Sequence, residues 1–214
     1  MVTSIELGGI TRSNHYLDLQ RKLASSTLLE GVMYECLSTF ESFGLGLLDH
    51  HMSVSRLSTG FAEAIRVEDS LVDLIRPAAL IHDVGKIALP KDFLEKPFLT
   101  PKERQIMEKH VDLGVQLLRP IPSMREILAI IEAHHQYWNG LGYPANLQMM
   151  GSQIPLGARI IAIADHYAAA TEKRPDRGPM QKDAALEEIT RHSGTRFEPD
   201  LVNEFLKFMA SWQQ

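Results

Sequence analysis

Residues 158–170 read ARIIAIADHYAAA, apolar nearly all round when wound as a helix, with one carboxylate, Asp165, in the middle. A helix without a polar face is buried on every side. It belongs at the centre of a bundle. Its carboxylate must be neutralised there, because an unpaired buried charge is costly. Arg159, on the same run, is one candidate partner; cations held by groups from other helices are another.

The rest of the chain suits helices around such a centre. Apolar positions at Leu19, Leu23, Leu28, Val32, Leu37 and Phe40 predict a helix over 18–43. Further helices are expected over 46–66 and 70–82, the latter opened by a capping box of Ser70 and Asp73. Thr100, Pro101 and Glu103 form the clearest start signal, as N-cap, N1 and N3. Ser123 and Glu126 repeat the device before "ILAIIEAHH". Gly140, Gly142, Pro144, Gly151 and Pro155 mark 138–155 as a loop, and the helices "LGARIIAIADHYAAATEK", "KDAALEEITRH" and "PDLVNEFLKFMASW" follow. No strand pattern of useful length competes. The expectation is an all-α domain over 46–214, with 1–45 as an N-terminal helical segment.

Composition narrows the partners. Of 214 residues 44% are hydrophobic, enough for a sizeable core, yet no run reaches the roughly 18 apolar residues of a membrane span. The start of the chain lacks a basic region followed by an apolar one, so no secretory signal is read. A single cysteine, Cys36, excludes an internal disulfide and fits a reducing, cytoplasmic setting. Net charge is −5 with scattered Lys and Arg, which argues against a long nucleic acid but not against a small phosphate ligand.

Polar groups recur in apolar places. "AALIHDVGKIALP", residues 78–90, runs from core-like residues into His82 and Asp83, then Lys86. His110 shares a helical spacing with Ile106, Leu113, Gly114 and Leu117; His134 and His135 follow Ile127, Leu128, Ile130 and Ile131; His50 follows Leu45, Leu47 and Leu48. Singly, each histidine reads as a hydrogen-bonded core or surface residue, and Asp83 as a cap for the turn at Gly85. Together, two carboxylates and five imidazoles on separate helices solve one another's burial if they converge on cations. That mixture suits Fe, Mn, Zn, Ni or Co rather than Ca or Mg, and without paired thiolates it is no iron–sulfur or structural zinc site. His134 and His135 reach one metal only where their helix ends, which Asn139–Gly140 allow.

The ordered set His50, His82–Asp83–Val84–Gly85–Lys86, His110, His134–His135, Gly142–Tyr143–Pro144 and Asp165 resembles the HD-GYP subgroup of HD-domain phosphohydrolases. The resemblance runs over about residues 46–210 and includes "KIALP", "EKPFLT", "IPLGARIIAIAD" and "GTRFEPDLV". It implies a bundle of about seven helices around a metal centre and hydrolysis of the bacterial second messenger cyclic di-GMP to linear pGpG, in some members on to GMP. One metal is then expected on His50, His82, Asp83 and Asp165, and a second on Asp83, His110, His134 and His135, with Asp83 and a water or hydroxide bridging. Iron or manganese is the first expectation. Lys86 is expected to meet phosphate charge or the leaving oxygen, and Arg174 and Arg177 to contact phosphates. Tyr143 is expected to shape its loop. A GGDEF cyclase docking on 138–155 and a homodimer are the partners implied besides the cyclic dinucleotide.

The chain departs from the pattern at Gln136 and Asn139, where acidic residues are usual, at Ala168, where Asp is common, and at Asp176 between the two arginines. Three-metal members carry Glu where Gly46 stands, so two metals and a stop at pGpG are expected. His51, next to His50, leaves the first ligand the least secure. These changes keep two alternatives open: a slow or inactive cyclic-dinucleotide receptor or docking module, and the same chemistry on another cyclic dinucleotide.

Overall fold

A computed structural model describes residues 6–7, 10–172 and 178–212. It is all-helical apart from a small antiparallel hairpin, in which Glu6 faces Thr11 and Leu7 faces Ile10. The helices are α1 (Asn14–Leu23), α2 (Leu29–Phe43), α3 (Leu47–Ala64), α4 (Asp69–Ile81), α5 (Lys91–Leu94), α6 (Pro101–Glu108), α7 (His110–Leu118), α8 (Arg125–Ala133), α9 (Leu156–Thr171), α10 (Lys182–Arg191) and α11 (Pro199–Ser211). Short 3₁₀ turns cover Val84–Ala88, Pro122–Met124 and Gly151–Gln153. No described helix is long and apolar enough to cross a membrane.

The run containing Asp165 is central, as its composition demands. α9 packs on α3, α4, α8 and α10, and it buries Ile160, Ile161, Ile163, Ala164 and Tyr167. α3 lies along α4, and α4 along α8, which brings the C-terminal ends of α4 and α8 to one side of α9. α1 and α2 share the same core: Tyr16, Leu19, Leu23, Val32 and Phe40 are buried with it. They also hold the turn after α4. The backbone N–H of Ser13 donates to Ala88, its hydroxyl to Ile87, and the Tyr16 hydroxyl to the Leu113 carbonyl at 3.1 Å.

Several expected elements differ. The helix over 18–43 is two helices, broken after Leu23. The hydroxyls of Ser25 and Ser26 both turn back to the Lys22 carbonyl, competing with the next helical N–H groups. Ser70 and Asp73 form no capping box; α4 begins at Asp69 behind Glu68, which makes no side-chain cap bond. Ser123 does not cap α8 either. Pro122 starts a 3₁₀ turn before it, and the Ser123 hydroxyl oxygen finds no hydrogen-bond partner. The helix face through Ile106 and Leu117 is interrupted at Lys109, so His110 opens α7. The box of Thr100 and Glu103 is present in full, with Pro101 in the first turn.

The turn after α4 is tight because α7 lies against it. A Cβ on Gly85 would come within 1.9 Å of the His110 carbonyl oxygen and 2.6 Å of the Gly114 nitrogen, both backbone atoms that cannot swing away. Gly31, inside α2, has no neighbour nearer than 3.8 Å to such a Cβ. Gly85→Ala is expected to cost about 3 kcal/mol by overpacking, and Gly31→Ala to gain about 0.5–1 kcal/mol by helix propensity. Urea unfolding of the two variants beside the parent reads both signs.

Candidate metal centre

The ends of α4 and α8 and the start of α7 converge. His82 is the C-cap of α4, His134 the C-cap of α8, and His110 the first residue of α7. Each imidazole is pinned by the same local device. Its Nδ1 donates to the backbone carbonyl three residues earlier: His82 to Ala79 at 2.8 Å, His110 to Met107 at 2.7 Å, His134 to Ile131 at 2.6 Å. A carbonyl only accepts, so Nδ1 carries the proton and Nε2 points inward.

Asp83 is what they point at. Its carboxylate is 1% exposed and lies 2.8 Å from His110 Nε2, 3.4 Å from His82 Nε2 and 3.6 Å from His134 Nε2. Lys86, one turn on, reaches the same carboxylate. Asp165 comes in from α9, 3.1 Å from His50 Nε2 and 3.7 Å from His82 Nε2. It does not meet Arg159. Six residues apart on a helix the two side chains point some 120° apart, and Arg159 pairs with Glu198 and the Ile154 carbonyl instead.

The donors fall into two groups able to hold a cation: Asp83, His110, His134 and His135, and His50, His82 and Asp83, with the ligating atoms of each group within 4.8 Å of one another. Asp83 is common to both. The fit to metal rests on unsatisfied atoms. Nε2 of His82, His110 and His134 and both oxygens of Asp83 are buried and make no hydrogen bond of good geometry, though they lie at ion-pair distance. Such an arrangement is costly unless something positively charged completes it.

His50 is separated cleanly from His51. Its Nδ1 donates to Glu172 at 2.8 Å and its Nε2 faces Asp165. His51 turns away, stacked on Phe40 at 4.2 Å with Nδ1 bonded to the Leu47 carbonyl. Glu172 was not among the expected site residues. It stands seven positions after Asp165, on the same helix face, and that spacing is the signal that points to it.

Burial disfavours charge throughout the site, and local partners then decide. Burial pushes the Asp83 carboxyl up, but Lys86, His82 and His110 outweigh it and hold the group well below the usual carboxylate range. Burial likewise opposes ionisation of Asp165, and His50 and His82 reverse it. Burial lowers His82, and Asp83 and Asp165 more than compensate, raising it to about 10. Burial keeps His134 and His135 below the ordinary histidine value.

The loop after α8 closes one side. Tyr143 lies over His135, ring centroids 4.5 Å apart. Gly142 passes so near the chain that a Cβ there would meet the His135 carbonyl oxygen at 2.3 Å. Gln136 donates to the Pro144 carbonyl at 2.8 Å, and the Asn139 side chain accepts from Leu141 N–H at 3.1 Å. Arg174, Arg177 and Asp176 lie outside the described residues.

An HD-domain model matches residues 22–201. The chain belongs to the HD-domain family. A cyclic di-GMP phosphodiesterase of Thermotoga maritima is 32% identical over 216 residues, 92% of this chain and 57% of that protein. A 3′3′-cGAMP-specific phosphodiesterase of Vibrio cholerae is 37% identical over 163 residues, 74% of this chain and 30% of that protein. This chain thus spans little more than half the length of the first relative and less of the second. Bd1817, an HDG"Y"P protein of Bdellovibrio bacteriovorus, has the same fold, with a TM-score of 0.64 at 15% identity over 92% of this chain and 69% of that one. The resemblance to the HD-GYP branch holds.

At neutral pH the metal-free site holds a proton on His82 that a divalent ion has to displace. Calorimetric titration of metal-free protein with Mn²⁺ or Zn²⁺, in two buffers of different ionisation enthalpy, is expected to show release of at least about one proton per chain at pH 7.5, falling towards zero above pH 10.

Proposed function

We propose that this chain is a metal-dependent phosphodiesterase that opens cyclic di-GMP to linear pGpG at a centre of two divalent ions. The observation that carries it is the buried Asp83 carboxylate ringed by imidazole Nε2 atoms that make no hydrogen bond. His50, His82, Asp83 and Asp165 would hold one ion, and Asp83, His110, His134 and His135 the other. Mixed imidazole and carboxylate donors favour iron or manganese, with zinc, nickel or cobalt chemically able to replace them. When bound, such a pair neutralises phosphodiester charge and lowers the pKa of water towards 7.

The chain's own groups do the rest. Nδ1–H bonds to main-chain carbonyls fix the tautomer of His82, His110 and His134 and leave each Nε2 as the atom that would face a cation. Lys86 has its ammonium at Asp83 with about a quarter of the side chain exposed, the place from which it meets a phosphate oxygen or protonates the leaving oxygen. Tyr143 covers His135 and fixes the substrate-side wall. Arg174 and Arg177 stay candidates for the second phosphate.

The departures at Gln136 and Asn139 favour an intact loop over a crippled one. Gln136 donates a hydrogen bond to Pro144 that a carboxylate cannot, and Asn139 keeps its turn through its oxygen. This supports activity over the receptor reading. Gly46, at the start of α3, has no side chain to offer a third ion, which supports two ions and a stop at pGpG. The Vibrio relative named for cGAMP favours a second reading, the same cleavage on another cyclic dinucleotide.

The remaining parts of the proposal concern surroundings. Within residues 1–45, α1 and α2 cap the 46–214 domain through their buried contacts. Leu141 and Met150, 78% and 56% exposed within the 138–155 loop, are the apolar groups a GGDEF partner would cover. Leu28 and Tyr34, both exposed around α2, are the surface for a homodimer. The buried free thiol of Cys36, pushed up to about 12 by its burial and by Glu35, is inert and suits a cytoplasmic setting.

Protein purified without oxygen and loaded with Fe²⁺ or Mn²⁺ is expected to contain two metals per chain and to convert cyclic di-GMP to pGpG. Failure on cyclic di-GMP with turnover of cGAMP or cyclic di-AMP selects the second reading, and tight binding without turnover of any selects a receptor. Lys86→Ala is expected to lower kcat by about 100-fold or more while metal content stays unchanged. A variant that loses its metals as well would remove Lys86 from this role.

A further inference from the structure

We propose that Glu172 is a positioning residue of the metal centre: its carboxylate binds the Nδ1–H of His50 and aims Nε2 of that ring at the cation held beside His82 and Asp165. The inference rests on the metal-centre reading and adds to it a residue outside the expected ligand set.

His50 differs from the other inward-facing histidines. His82, His110 and His134 take their orientation from a main-chain carbonyl three residues back. His50 has no such anchor. The Leu47 carbonyl, which stands three residues before it, accepts from His51 instead. The Nδ1 of His50 reaches across to the end of α9 and finds Glu172 at 2.8 Å. Of the histidines held at Nδ1 in this site, His50 is therefore the one anchored by a carboxylate.

The geometry makes this anchor firm. Glu172 is the C-cap of α9, and its own N–H is fixed to the Ala168 carbonyl at 2.9 Å. Asp165 and Glu172 are seven residues apart, about two turns of helix, on one face. The ring of His50 bridges them, Nε2 to the first at 3.1 Å and Nδ1 to the second. Ala168, which lies between them on that face, is buried and has no polar atom to take the place of either.

A carboxylate does more than a carbonyl here. A charge-assisted hydrogen bond is the stronger tether, and it makes the opposite nitrogen a better donor to a metal. Loss of such a partner commonly weakens metal affinity 10–100-fold. The loss should fall on the ion that His50 holds and spare the ion among His110, His134 and His135.

Calorimetric titration of Mn²⁺ into metal-free protein, with a chelator competition for the tighter ion, tests this. The parent chain is expected to bind two ions. In Glu172→Ala one dissociation constant should rise about 10–100-fold while the other stays within about twofold. Glu172→Gln keeps an oxygen acceptor without the charge and should fall between Ala and the parent. The metal-free melting temperature should not move, since Glu172 is about one-third exposed at a helix end. In ¹⁵N-histidine-labelled, zinc-loaded protein, long-range ¹H–¹⁵N spectra should show the His50 proton on Nδ1. A parent chain with two ions and an Ala variant with both constants unchanged overturns the role of Glu172 and leaves the centre standing. Both constants rising together with a lowered melting temperature also overturns it, as a general loss of structure. A parent chain that binds no ion overturns the centre and this inference with it.

Discussion

A carboxylate shut away from water, with imidazoles on three sides and an ammonium on a fourth, is the interaction around which this molecule is arranged. Asp83 can be ionised at that depth only because His82, His110 and Lys86 face it. Those partners come from α4, α7 and the turn between α4 and α5, so the electrostatic requirement is also a packing requirement. The apolar surfaces of α3, α4, α8 and α9 supply the burial that makes the group costly, and the same surfaces deliver the side chains that make it tolerable.

The close approach of α7 to the turn at Val84–Ala88 is the mechanical part of this arrangement. Gly85 and Gly114 let two backbones meet with nothing between them. That contact sets where His110 stands relative to Asp83 and Lys86. From the other side, Ser13 and Tyr16 tie α1 to the same region. The N-terminal helices are therefore part of what holds the site, whatever boundary is drawn through the chain.

Much of this was legible in residue order. An all-round apolar helix with one carboxylate announced the centre, and the histidines following apolar runs announced what would meet it. The helix starts were less legible. Thr100 capped as expected because Pro101 and Glu103 left one arrangement that satisfies the first turn. Ser70 and Ser123 had the same letters without the same geometry: Asp69 began its helix earlier, and Pro122 began a different turn. The break after Leu23 turned on serine hydroxyls choosing a carbonyl, which hydrophobic spacing does not register. Glu172 shares a helix face with Asp165 by its spacing, but the spacing alone gives it no role. Its importance depends on which ring of the His50–His51 pair faces inward, and Phe40 settles that by stacking on the other.

The three bonds from imidazole Nδ1 to the carbonyl one turn earlier have a consequence for the durability of the centre. Rings aimed by main chain owe nothing to the identity of their neighbours, so drift in the surrounding side chains leaves their aim intact. For these three rings the vulnerable point is the main chain itself, since a slippage of the helix ends that carry them would spoil their aim together.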